Sequence, residues 1–137
     1  MRIFSEKNDN KKGKETTVMI ANRLNVYRDM YQLFLLLASI KTKMNKEFRS
    51  TLGERMLTAA LDALDCIQRA NMYKEDRAKH LVKFVEHFER MKMLVRASFE
   101  LRAIDGLRRQ AEISRKCESI GRQISAWKAK SSTKHTA

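Results

Sequence analysis

The stretch that decides the fold is GLRRQAEISRKCESIGRQISAWKA, residues 106–129. Its apolar residues fall at Ile113, Cys117, Ile120, Ile124 and Trp127, with steps of 4, 3, 4 and 3. That is the a/d rhythm of a helix laying one stripe into a bundle. Around the stripe stand Arg108, Arg109, Arg115, Lys116, Arg122 and Lys128. One face of this helix asks for partner helices, and the other presents cations.

Working outward, the preceding segment predicts a helix over residues 77–102, with Asp76 as its cap and a length of about 40 Å at ~1.5 Å per residue. Leu81, Phe84, Val85, Phe88, Met91, Val95 and Phe99 form its core stripe. Lys79, Lys83, Arg90, Lys92 and Arg96 are its outer cations. Asp105 is the expected N-cap of the helix that follows. Further upstream, Thr51 and Glu54 have capping-box spacing, with Glu54 able to reach back to the Thr51 amide. The helix they open runs to Ala70, with a stripe of Leu57, Ala60, Leu64 and Ile67. Ala59, Ala60 and Ala63 admit a close neighbour, and Asn71 suits a left-handed terminator.

The first predicted helix spans residues 17–42. Leu24, Tyr27, Tyr31, Phe34, Ala38 and Met44 make its apolar stripe, widened by Met30, Leu33, Leu37 and Ile40. A stripe this wide implies burial on more than one side. The connection KTKMNKEFRS, residues 41–50, carries Lys41, Lys43, Lys46 and Arg49 against one Glu47, and is a candidate phosphate-contacting corner. Four helices joined by short connections make antiparallel neighbours, so the expected fold is all-α: an up-down-up-down antiparallel four-helix bundle over residues 17–129. Residues 1–16 and 130–137 read as disordered basic segments, an N-terminal arm and a C-terminal tail.

The composition agrees. The 137 residues include no proline and four glycines, with 43% hydrophobic and 33% charged residues, which favours long helices. The net charge is +13, and residues 17–127 hold +8 of it, so the folded surface itself is basic. Such a surface favours a polyanionic partner: nucleic acid, an anionic membrane or an acidic protein. The longest apolar run, residues 33–38, is far short of the ~20 residues of a membrane span, and no signal peptide is visible. Cys66 and Cys117 sit within apolar helical patterns as buried thiols of a reducing cytoplasm.

Sequence signs of catalysis are lacking. His80 and His87 are seven apart, without a partnering ligand motif. No phosphate-binding glycine loop or nucleophile elbow occurs. No catalytic residue, metal ligand or cofactor is therefore assigned. The candidate nucleic-acid-binding residues, chosen by charge and helical phase, are Arg90, Arg96, Arg108, Arg109, Arg115, Lys116 and Arg122, with Lys41, Lys43, Lys46 and Arg49 at the corner. On adjacent helices these could form one surface for sequence-blind phosphate contacts.

Four segments carry a family resemblance: FRSTLGERM at residues 48–56, RAN at 69–71, the apolar core of 81–95, and IGRQISAW at 120–127. In order and separation they resemble the small four-helix bundle proteins. That family comprises the accessory variability determinant (Avd) of diversity-generating retroelements and the proteins encoded in 23S rRNA intervening sequences. The resemblance implies a barrel-shaped homopentamer. In the Avd branch it implies a non-enzymatic accessory subunit that binds a reverse transcriptase, template-repeat RNA and the cDNA made from it, in support of mutagenic cDNA synthesis. The intervening-sequence branch implies the same fold without a polymerase, and a generic basic bundle for an acidic protein is the further alternative. Gly121 belongs to the matching stretch, where close helix packing is its expected role. The charged arm of residues 1–16 lies outside the match.

Overall fold

The computed structural model describes the backbone of residues 14–136 and the side chains of residues 23–131. Helix α1 (Lys14–Lys41) is followed by a four-residue turn and a short helix α2 (Lys46–Phe48). A π-helical turn (Arg49–Gly53) then runs without a break into α3 (Glu54–Met72). Helices α4 (Arg77–Glu100) and α5 (Leu107–Thr136) complete the chain. The described residues contain no strand. The four long helices form a four-helix bundle in which each packs against its neighbours in sequence and α5 closes onto α1.

Cross-helix contacts fix the directions. Arg77 at the start of α4 reaches Ala70 near the end of α3, and His87 stands 3.8 Å from Asp62. Gln123 of α5 bonds Asp29 of α1 at 2.8 Å, and Arg77 stands over Trp127. Consecutive helices are therefore antiparallel, and both ends of the bundle are made by short turns.

The core stripes of α3, α4 and α5 fall largely where the spacing placed them, with Leu57, Val85, Phe99 and Cys117 only half-buried at the core's edge. Ala59, Ala60, Ala63 and Ala70 are enclosed, and their small side chains bring α3 close to α4. Phe84 and Phe88 stack at 5.0 Å in the centre, and Ile113, Ile120, Ile124 and Trp127 are buried along α5.

Helix α1 differs from expectation. Its core residues are Val26, Met30, Leu33, Leu37, Ile40 and, just beyond its end, Met44. Of the expected primary stripe only Met44 is in the core: Leu24 and Tyr31 are exposed, Tyr27 and Phe34 half-buried at the core's edge, Ala38 half-buried, and Leu35 joins the outer face at 48% exposure. The residues expected only to widen the stripe are the ones that face the core.

The helix ends also differ. The Thr51–Glu54 capping box does not form, because the chain is already helical from Lys46. The Thr51 hydroxyl donates to the Glu47 carbonyl at 2.8 Å, and Glu54 pairs with Lys41. The connection expected over residues 41–50 is thus only a tight turn, pinned by buried Met44. Gly53 lets α1 approach: a Cβ there would meet Lys41 Cγ at 2.8 Å. Asn71 stays helical and right-handed, while Asp76 stands at the N-cap position of α4 without a side-chain bond. At the start of α5, the Gly106 carbonyl accepts from Gln110, so Gly106 (φ +106°) serves where Asp105 was expected.

Helix α4 closes with a Schellman arrangement. The Arg102 amide donates to Phe99 at 3.1 Å and the Ala103 amide to Ser98 at 2.8 Å, with Arg102 left-handed at φ +61°. Helix α5 continues to Thr136, past its expected end at Ala129, so residues 130–136 are helical where a disordered tail was expected. Likewise α1 starts at Lys14, inside the expected arm, whose residues 1–13 lie outside the described residues. Gly121 has nothing within 4 Å of an added Cβ, so it does not serve close packing inside the subunit.

Candidate nucleic-acid interface

Helical phase distributes the cations. Arg108, Arg115 and Arg122 recur every seven residues, within about 20° of one line along α5 at 3.6 residues per turn. All three are exposed, on the side away from the Ile113, Ile120 and Trp127 stripe. Arg109 and Lys116 also recur at seven and continue to Gln123, which contacts Asp29. They lie on the α5 flank that faces α1, and both are half-buried.

The two arginines of α4 part company. Arg90 contacts His87, which leans toward Asp62 of α3, so Arg90 belongs to the flank on the α3 side. Arg96 is one turn beyond Lys92, whose charge acts on Cys117 of α5, so Arg96 faces the α5 side. Six positions put the two about 120° apart around the helix. Arg90 and Arg96 therefore stand on different flanks of α4.

Lys43, Lys46 and Arg49 are exposed at the α1–α3 end of the bundle, which the α4–α5 turn shares, so Arg102 and Arg108 come to the same end. Glu47, Glu100 and Asp105 are interspersed there. Lys41 is half-buried and held by Glu54, which removes it from the exposed set. Arg122 has Glu118 at 3.4 Å, both largely in solvent, a pair that contributes about 0–1 kcal/mol and leaves the arginine available.

Between Leu107 and Ser131, α5 carries seven cations, Arg108, Arg109, Arg115, Lys116, Arg122, Lys128 and Lys130, against Glu112 and Glu118. A rod with this imbalance attracts phosphate backbones without reading bases. The signal that sequence reading missed is Arg23, on α1, which stands with Arg122 and Lys130 at the far end of α5. Among the described residues no three His, Cys, Asp or Glu side chains gather as metal ligands do. No helix among them is long and apolar enough to cross a membrane.

These features define a helical bundle with one strongly basic outer helix. No known family model matches the chain, and no curated protein matches it.

Proposed function

We propose that this protein is a non-enzymatic accessory subunit that binds RNA along the outer face of α5 and holds it beside a reverse transcriptase, as the Avd branch of the resemblance implies. It acts in the cytoplasm as a homo-oligomer, a pentamer if the resemblance extends to the assembly. The observation that carries the reading is the exposed row Arg108, Arg115 and Arg122 on a helix with two carboxylates in its described length. Guanidinium groups at this spacing make phosphate contacts that tolerate any base sequence. The uncovered apolar face of α1 supports assembly.

The test is an RNA-binding series over ionic strength. Each neutralised phosphate contributes about 0.7–0.9 to the slope of log K against log salt. The R108Q/R115Q/R122Q variant is expected to reduce that slope by about 2 and to weaken binding uniformly across sequences. An unchanged slope would sink the α5 row as the binding surface. Co-purification with a reverse transcriptase of a diversity-generating retroelement tests the accessory role. Two proteins that never associate, with or without RNA, would end it.

A further inference from the structure

Toward the C-terminal part of α5, residues of α1 and α5 line a cavity of about 310 Å³. Val26, Ala126 and Trp127 form apolar walls, and Arg23, Arg122 and Lys130 bring positive charge. Its described lining has no carboxylate. The nearby Asp29 is engaged by Gln123, and Glu118 meets Arg122 in solvent.

Behind the wall, Arg77 stands 5.7 Å from the Trp127 ring centre and is only 8% exposed. Its Nε donates to the Ala70 carbonyl at 2.7 Å, and it has no carboxylate partner among the described residues. Burial, with Arg23 adding repulsion, pushes the Arg77 guanidinium down to about 10. The Trp127 indole N–H is enclosed and meets no acceptor.

We infer that this cavity binds a phosphate monoester carried on a flat, largely apolar body: by size a nucleoside monophosphate, free or as the phosphorylated end of an RNA chain. Several cations around one opening suit a dianion better than a single carboxylate, and guanidinium forks match phosphate oxygens in pairs. The volume is at the small end of ligand pockets, which run from about 300 to 1,000 Å³. The walls between two helices suit a sugar and base, whereas a bare inorganic anion would leave them dry and unfilled. The site shares Arg122 with the arginine row and adds Arg23 and Lys130, which do not belong to it.

Trp127 is the sole tryptophan, so its fluorescence reports on the cavity directly. The full-length protein is titrated with adenosine monophosphate, adenosine, inorganic phosphate, and RNA carrying a 5′-phosphate or a 5′-hydroxyl. A saturable change is expected with a phosphorylated species, absent with adenosine and with hydroxyl-ended RNA, and weaker with inorganic phosphate. A response to the mononucleotide alone assigns a free nucleotide, and one to phosphorylated RNA assigns the chain end. R23Q and K130Q should each weaken binding about tenfold or more, because charged hydrogen bonds are lost. Lys130 is exposed, so K130Q leaves the fold intact. R108Q/R115Q should lower the salt slope for RNA and leave the mononucleotide response unchanged, which separates this site from the row. No response, or wild-type affinity in both R23Q and K130Q, overturns the inference, as does inorganic phosphate binding as tightly as the mononucleotide.

Discussion

At Arg102 a side chain with a Cβ holds the left-handed conformation that terminates α4, with φ at +61°. For a non-glycine residue this costs about 1–2 kcal/mol. Arg102 is exposed and both Schellman bonds use backbone atoms only, so glycine can take over the position. Arg102→Gly should therefore raise the unfolding free energy by about 1 kcal/mol in urea, after the entropy that glycine adds to the unfolded chain. A loss of stability would show that the arginine side chain holds the turn. Cys117 packs against the edge of the core. Burial pushes its thiol up to about 11 from 9.0, with Lys92 opposing and Glu89 assisting. In the pH window between these two values the unfolded thiol gives up its proton and the folded one keeps it. The folded state then binds more protons, so stability is full below about 9 and falls as pH rises toward 11. C117A should lose this part of the alkaline decline, seen as a converging difference between the two stability curves across that window. At neutral pH the native thiol should resist alkylation, and only the unfolded chain should react at the rate of a free cysteine.

At the scale of elements, two glycines on helices should respond in opposite senses. Gly53 ends the π-turn with Lys41 and Met44 pressed against its open side. Gly53→Val inserts an isopropyl group there and should cost about 1–3 kcal/mol through overpacking. Gly121 meets nothing within 4 Å, so Gly121→Ala should add up to about 1 kcal/mol by helix propensity alone. Chemical unfolding measures both, and a destabilised G121A would place another chain against that face. Helix α1 shows where spacing ceases to inform. Residues 33–38 read LFLLLA, without a polar residue to mark the outside, so two stripes compete and nothing local chooses between them. The choice is made by α3 and α5, which draw in Val26, Met30, Leu33 and Leu37. In α5, by contrast, polar and charged residues separate the stripe positions along its length, and the buried set reads directly. The capping box failed for a related reason: cap chemistry is decided by where the chain first becomes helical, and turning at Met44 moved that point upstream to Lys46. The cations were equally legible as residues but not as a surface. Arg90 and Arg96 separate only once α3 and α5 take opposite sides of α4, and Arg23 joins Arg122 and Lys130 only through the closure of α5 onto α1.

For the whole molecule, the basic surface and the apolar face of α1 answer the same question, how copies of a +13 chain could meet. Like charge opposes association nearly everywhere. The outer face of α1 is the exception: from Leu24 to Ile40 the chain holds only Arg28 and Asp29 as charges, and these two stand 3.8 Å apart. Along that face Leu24, Tyr31 and Leu35 are 36, 40 and 48% exposed. Tyr27 and Tyr31 stack at 6.5 Å and Phe34 adjoins Tyr31 at 6.4 Å, so an aromatic strip is already ordered before any partner arrives. Apolar area of this kind gains about 25 cal/mol per Å² when a second copy covers it. Light scattering is therefore expected to give a mass that is a multiple of 16.0 kDa. Y31E/L35E should return the monomer with its helical content unchanged, since substitutions at exposed positions shift stability by only about 0.5 kcal/mol. Assembly also multiplies the α5 rows on one particle, and linked sites bind a long RNA far more tightly than separate ones, by about 10²–10⁴. The monomeric variant should consequently lose affinity for long RNA while keeping that for a short oligonucleotide that engages one row. A wild-type protein that is strictly monomeric would remove the assembly, and with it the reason for α1 to present that face.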